Sequence, residues 1–80
     1  DIDVVALSEV DKKAVVGECK FKNEKIDKGI YDTLIRRSKL ISAKYKVSKY
    51  IFFSLSGYTD WYDSLADEDV LLLTLDSLYE

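Results

Sequence analysis

Ala14-Val15-Val16-Gly17-Glu18-Cys19-Lys20-Phe21 is the stretch that decides how the chain is read. Valines open it and an aromatic residue closes it, the composition of an extended strand. Strand side chains alternate between faces, so Glu18 and Lys20 share one face while Gly17, Cys19 and Phe21 share the other. At roughly 3.3 Å per residue, the Cβ atoms of Glu18 and Lys20 stand roughly 6 to 7 Å apart, within reach of one phosphate or one metal-bound water. Val15, Val16 and Cys19 read as buried, with Cys19 facing the core as a small hydrophobe. A charge set among them needs a partner or an ion to offset its desolvation.

Upstream, residues 1–7 alternate as a second strand, and Ser8-Glu9-Val10-Asp11-Lys12-Lys13 is polar turn material. The two strands make an antiparallel hairpin that sets Asp3 opposite the region of Glu18, with Asp1 on the same face two residues earlier. Carboxylates that meet across adjacent strands repel unless a cation lies between them, and an oxygen-only ligand set suits Mg²⁺ or Mn²⁺. The same residues also fit a plainer reading, in which Glu18 and Lys20 form a same-face ion pair and Asp1 and Asp3 keep an edge strand soluble.

Downstream, residues 23–26 form a linker, and Asp27 is placed to cap a helix whose apolar positions are Ile30, Tyr31, Leu34, Ile35, Ile41 and Tyr45. Tyr50-Ile51-Phe52-Phe53-Ser54-Leu55 reads as a buried strand ended by Ser56-Gly57. Thr59 then starts a short helix through about Leu65. Asp67-Glu68-Asp69 is a solvated turn without the spacing of a calcium loop, and residues 70–75 form a last, fully apolar strand. The order strand, strand, helix, strand, short helix, strand is α/β, and the helical crossover makes the second strand parallel to the third. Tyr58, Trp61 and Tyr62 are read as packing rather than base-stacking groups, and Ser54, Ser56 and Gly57 either as a phosphate cradle or as a strand-ending turn.

Composition narrows the chemistry. Eighty residues, 48% hydrophobic and 34% charged, make one small domain with a marginal core of its own. The strand-like start and the lack of methionine suggest a piece of a longer polypeptide. No histidine is present and Cys19 is the only cysteine, which removes the usual base of a serine or cysteine triad and the usual ligands of zinc. The single thiol and the lack of a leader point to a cytoplasmic home, and the longest apolar runs fall far short of the ~20 residues of a membrane-spanning helix. The net charge of −3 hides a sorted distribution. All twelve Lys and Arg lie between Lys12 and Lys49 with four acids, a net +8, against −4 before that stretch and −7 after it. The middle of the chain is thus suited to an anion, although a lysine-rich helix is also an ordinary solvated face.

The pairing of "DIDVVAL" (residues 1–7) with "GECKF" (17–21) across a short hairpin, followed by a helix, resembles the PD-(D/E)xK nuclease superfamily. Together with "FFSLSGYT" (52–59), these blocks are most similar to the C-terminal DUF234 domain of a group of archaeal ATPases. Asp3 matches the Asp of the PD motif, with Ile2 in place of the proline, and Glu18-Cys19-Lys20 matches the (D/E)xK element unaltered. The resemblance implies a restriction-endonuclease-like core, a mixed β-sheet with flanking helices, truncated here at its N-terminus so that the first helix and first strand are lacking. It also implies catalytic Asp3, Glu18 and Lys20, with Asp3, Glu18 and the backbone carbonyl of Cys19 holding Mg²⁺ or Mn²⁺. Lys20 would contact the attacking water and the scissile phosphate.

The expected activity is Mg²⁺-dependent hydrolysis of phosphodiesters in DNA, by a domain fused to an ATPase domain and able to form a homodimer. From the basic stretch, Lys22, Lys25, Lys28, Arg36, Arg37 and Lys39 are the expected phosphate contacts. The alternative is a noncatalytic module that binds DNA or docks against the ATPase on the same fold. The acidic residues from Asp60 onward favour that alternative, since they repel DNA unless they lie away from the basic face.

Overall fold

A computed structural model describes residues 3–79, with the side chains of Leu78 and Tyr79 left aside. Asp1 and Ile2, expected to extend the first strand, lie outside the described residues. The chain forms a small α/β domain: a mixed four-stranded sheet and one α-helix. Strands β1 (Val4–Ser8), β2 (Lys13–Lys20), β3 (Lys46–Ser54) and β4 (Val70–Thr74) lie side by side in that order. The hairpin pair β1 and β2 is antiparallel, whereas β2, β3 and β4 run parallel, as crossover connections require.

Helix α1 (Lys28–Ser42) carries the crossover from β2 to β3. Asp27 caps it: the backbone there is extended, and the carboxylate accepts a hydrogen bond from the Ile30 N–H at 3.1 Å. Leu34 and Ser38 are its buried residues, and Ser38 returns its hydroxyl hydrogen to the Ile35 carbonyl at 2.8 Å. The helix packs on β2 and β3. Its apolar side meets Val16 and Phe52 in a core completed by Ile26 and Tyr62. Complete burial of one such side chain as Leu34 contributes about 1.5–3 kcal/mol.

Between β3 and β4 the short helix expected after Thr59 is a 3-10 turn, Asp60–Ser64. Its Tyr62 ring is buried between Phe52, Tyr31, Tyr58 and Trp61, and its hydroxyl donates to the Asp27 carbonyl at 2.9 Å. These aromatics pack, as the sequence suggests. The Ser54-to-Gly57 segment is a strand-ending turn, in which the Ser54 hydroxyl accepts from the Gly57 N–H at 2.8 Å. Gly57 stands at φ 94°, a backbone conformation that glycine adopts without steric cost.

Three expectations are corrected. Strand β3 begins at Lys46 rather than Tyr50, with Ser48 bulged out at the register shift opposite Ala14 and Val15. Strand β4 is half-exposed rather than fully buried: Leu71, on the sheet face that no helix among the described residues covers, is 42% exposed, and Leu72, on the α1 side, is 37% exposed. Cys19 does not face the helix-covered core. It shares with Phe53 and Leu73 the opposite sheet face, which no helix among the described residues covers. No helix among the described residues is long and apolar enough to cross a membrane.

Candidate active site

The register of the hairpin pairs Val4 with Gly17, which sets Asp3, the residue just before β1, across from Glu18. The Asp3 carboxylate accepts a hydrogen bond from the Cys19 N–H at 2.9 Å, which ties this exposed side chain to the end of β2. Its other neighbour is the Glu18 carboxyl, close enough for each to shift the other's ionisation. Glu18 itself is buried, 7% exposed, on the face of β2 that α1 covers.

The two acids respond in opposite directions. The Cys19 N–H, followed by the Glu18 hydrogen bond, holds the Asp3 carboxyl below the ordinary range. Burial pushes the Glu18 carboxyl up, and the adjacent Asp3 pushes it further; Lys20 and Arg37 pull it back by a smaller amount. Burial and the neighbouring carboxylate thus favour the protonated form of Glu18, while the Cys19 N–H favours the ionised form of Asp3. Lys20 follows on the same face of β2, half-buried, with its backbone carbonyl accepting from the Leu55 N–H at 3.0 Å. Because that carbonyl faces β3, the groups of Cys19 leave the strand on the β1 side, where its N–H meets Asp3.

Of the residues that the sequence singles out, Asp3, Glu18 and Lys20 are brought together at one end of the sheet, with the Cys19 backbone between them. Lys20, Lys22 and Lys25 line a single cleft beside it. Lys28 does not join them: it is paired with Asp32 at 2.7 Å, and its ammonium lies 5.7 Å from the centre of the Trp61 ring. Arg36 and Lys39 are exposed farther along α1. Arg37 is engaged with its surroundings and bears on Glu18 electrostatically, a site role that reading it as a phosphate contact misses. The signal was present, since Arg37 lies three residues after the buried Leu34 and next to the buried Ser38.

Burial, then the charges of Asp3 and Glu18, push the Cys19 thiol up, so it stays protonated and unreactive. Among the described residues no three His, Cys, Asp or Glu side chains gather as a metal-binding group. Asp3 and Glu18 supply two carboxylates, and the Cys19 carbonyl is the further oxygen at that end of the strand. This set fits a hard cation such as Mg²⁺, which keeps several waters and takes one or two protein carboxylates. No protein family, no curated protein and no solved structure matches the chain.

Proposed function

We propose that this chain is a metal-dependent DNA endonuclease domain with a restriction-endonuclease-like core, of the PD-(D/E)xK kind and similar to the DUF234 domain of archaeal ATPases. The observation that carries the reading is the meeting of Asp3 with the buried Glu18, followed on the same face by Lys20. Asp3, Glu18 and the Cys19 carbonyl would hold Mg²⁺ or Mn²⁺, which would supply Lewis acidity at the phosphoryl oxygen and acidify water. Lys20 places a compact positive charge where negative charge accumulates on the phosphate. The lysines beside Lys20 hold the DNA backbone, and Arg37 tempers the charge of Glu18. The domain works in the cytoplasm, fused to an ATPase domain.

The test is plasmid cleavage with Mn²⁺ or Mg²⁺ by the wild type, Asp3→Asn, Glu18→Gln and Lys20→Ala. Cleavage by the wild type alone supports the reading, with Lys20→Ala retaining metal binding because lysine acts on water and phosphate rather than on the ion. A wild type that never nicks DNA, or an Asp3→Asn protein that cuts as well as wild type, removes it. The second reading, a noncatalytic DNA-binding or ATPase-docking module, is favoured by one observation: only two carboxylates, with no third metal-ligating side chain, meet among the described residues.

A further inference from the structure

Beyond Lys20 the chain leaves the sheet and runs through the linker into α1, and the turn is held rigidly from outside. The Lys20 carbonyl accepts from the Leu55 N–H at 3.0 Å, the Lys22 carbonyl from the Ser56 hydroxyl at 2.9 Å, and the Ile26 N–H donates to the Gly57 carbonyl at 2.9 Å. Ile26 is fully buried, which anchors the linker. The result is a cleft of about 100 Å³ between the end of β2 and the start of α1, lined by Lys20, Lys22 and Lys25 together with Glu24 and Asp27. It is roomy enough for several oxygen atoms.

The charges in it are unevenly committed. Among the described residues, ion pairs take Lys12, Lys28 and Lys49, and none takes Lys20, Lys22 or Lys25. The Asp27 carboxylate is occupied in capping α1, where it receives the Ile30 N–H at 3.1 Å. Glu24 is then the one uncommitted acid against the ammonium groups of Lys22 and Lys25, which no ion pair takes, and of Lys20, on a backbone fixed before any ligand arrives. Lys20 is shared with the carboxylate pair, so the cleft continues the track along which a phosphate chain lying over Asp3 and Glu18 would run.

We propose that this cleft seats a backbone phosphate of a DNA strand, next along from the phosphate at Asp3, Glu18 and Lys20. The assignment rests on the nuclease reading for its direction, and it makes the substrate a polynucleotide with a charged phosphate beside the cut rather than an isolated phosphate ester. Lys22 and Lys25 are binding residues here, whereas Arg36 and Lys39 lie off the track.

The test uses the 80-residue protein without divalent metal, titrated with a thymidine hexanucleotide and followed by amide NMR shifts. Shifts gathered on residues 20–30 are expected. In the doubly substituted Lys22→Gln/Lys25→Gln protein the logarithmic salt slope of binding should fall by about 1.4, the release expected from two single-strand phosphate contacts. Glu24→Gln should bind more tightly than wild type, and the amide spectrum of each variant reports directly that it is folded. Inorganic phosphate at the same concentration should leave these amides unmoved. The proposal is overturned if the shifts fall on the Arg36 and Lys39 end of α1, if the double variant binds with an unchanged slope, or if inorganic phosphate fills the cleft equally well. Cleft binding without any plasmid cleavage would remove the nuclease reading alone, and cleavage without cleft shifts would remove this one alone.

Discussion

Adding Mn²⁺ to the metal-free protein should raise its melting temperature, and the size and pH dependence of the rise follow from the Asp3 and Glu18 pair. Glu18 has its carboxyl pushed up by burial and then by Asp3. A group whose value is raised on folding contributes stability below its unfolded value, near 4.5, and loses it as pH rises through the folded value. Asp3, held down by the Cys19 N–H, has the opposite sign: its contribution is present above its unfolded value, near 3.8, and is lost as pH falls. Burial and the adjacent Asp3 thus make the ionised form of Glu18 costly in the metal-free fold, and a cation relieves that cost.

Binding to the native state alone stabilises by about 0.4 kcal/mol when the free metal equals Kd and about 2.7 kcal/mol at a hundredfold excess. For a domain of this size each kcal/mol moves the melting temperature by about 4–8 °C, so saturation should raise it by roughly 10–20 °C. The rise should be full near pH 8 and shrink as pH falls through the folded value of Glu18, where metal and proton compete. Glu18→Gln removes the ionised group, so its metal-free form should be at least as stable as wild type near pH 8 and should gain nothing from Mn²⁺. The assay is thermal unfolding by circular dichroism across a Mn²⁺ series at several pH values. An equal rise in wild type and Glu18→Gln, or a metal-free Glu18→Gln protein markedly less stable than wild type at pH 8, would refute the coupling of the two carboxylates through a cation.

Three further outcomes test the scaffold. Asp27→Ala should cost about 1 kcal/mol in urea unfolding, because it removes the cap bond to the Ile30 N–H; a change below a few tenths would mean that the cap is not formed. Leu34→Ala, at a position with no exposed surface, should cost about 2–5 kcal/mol, and a cost under 1 kcal/mol would place α1 elsewhere than on Val16 and Phe52. Tyr58, whose hydroxyl lies within hydrogen-bond distance of the Phe52 and Leu73 carbonyls, has its value pushed up to about 12 by burial, so its contribution is present below pH 10 and fades as pH rises through 12. Tyr58→Phe should lose about 1–3 kcal/mol at pH 7 and, read by absorbance at alkaline pH, should lack the latest-titrating fraction of tyrosinate apart from Tyr62; an unchanged alkaline titration would contradict that environment.

What the chain declares locally was legible and what depends on distant partners was not. The period of two along residues 14–21 puts Glu18 and Lys20 on one face, and the hairpin puts Asp3 opposite Glu18, so the placement of these residues follows from spacing, while their reading as a site comes from the resemblance. Asp27 was readable as a cap for the same reason: the helix pattern begins just after it. Strand β3 was read four residues short because Lys46, Ser48 and Lys49 are polar, and a parallel ladder is set by backbone pairing with β2 rather than by side-chain character. Which face of β2 the helix covers was not readable either. Val15 and Val16 are both apolar, so the stretch itself does not separate the covered face from the open one, and Cys19 was assigned to the wrong side.

The lysine cleft shows the same boundary more sharply. In sequence, Lys22 and Lys25 are two among twelve basic residues, indistinguishable from Arg36 or Lys39. What separates them is the cleft they share with Lys20, whose wall is held by bonds from Leu55, Ser56 and Gly57, distant in sequence. Charge makes a residue attractive to phosphate, and ammonium groups that line one cleft direct their attraction to the same point, whereas cations spread singly along a helix do not. Lys22 and Lys25 should therefore contribute more to binding than equally charged residues on the outer face of α1, even though the sequence gives all of them the same standing.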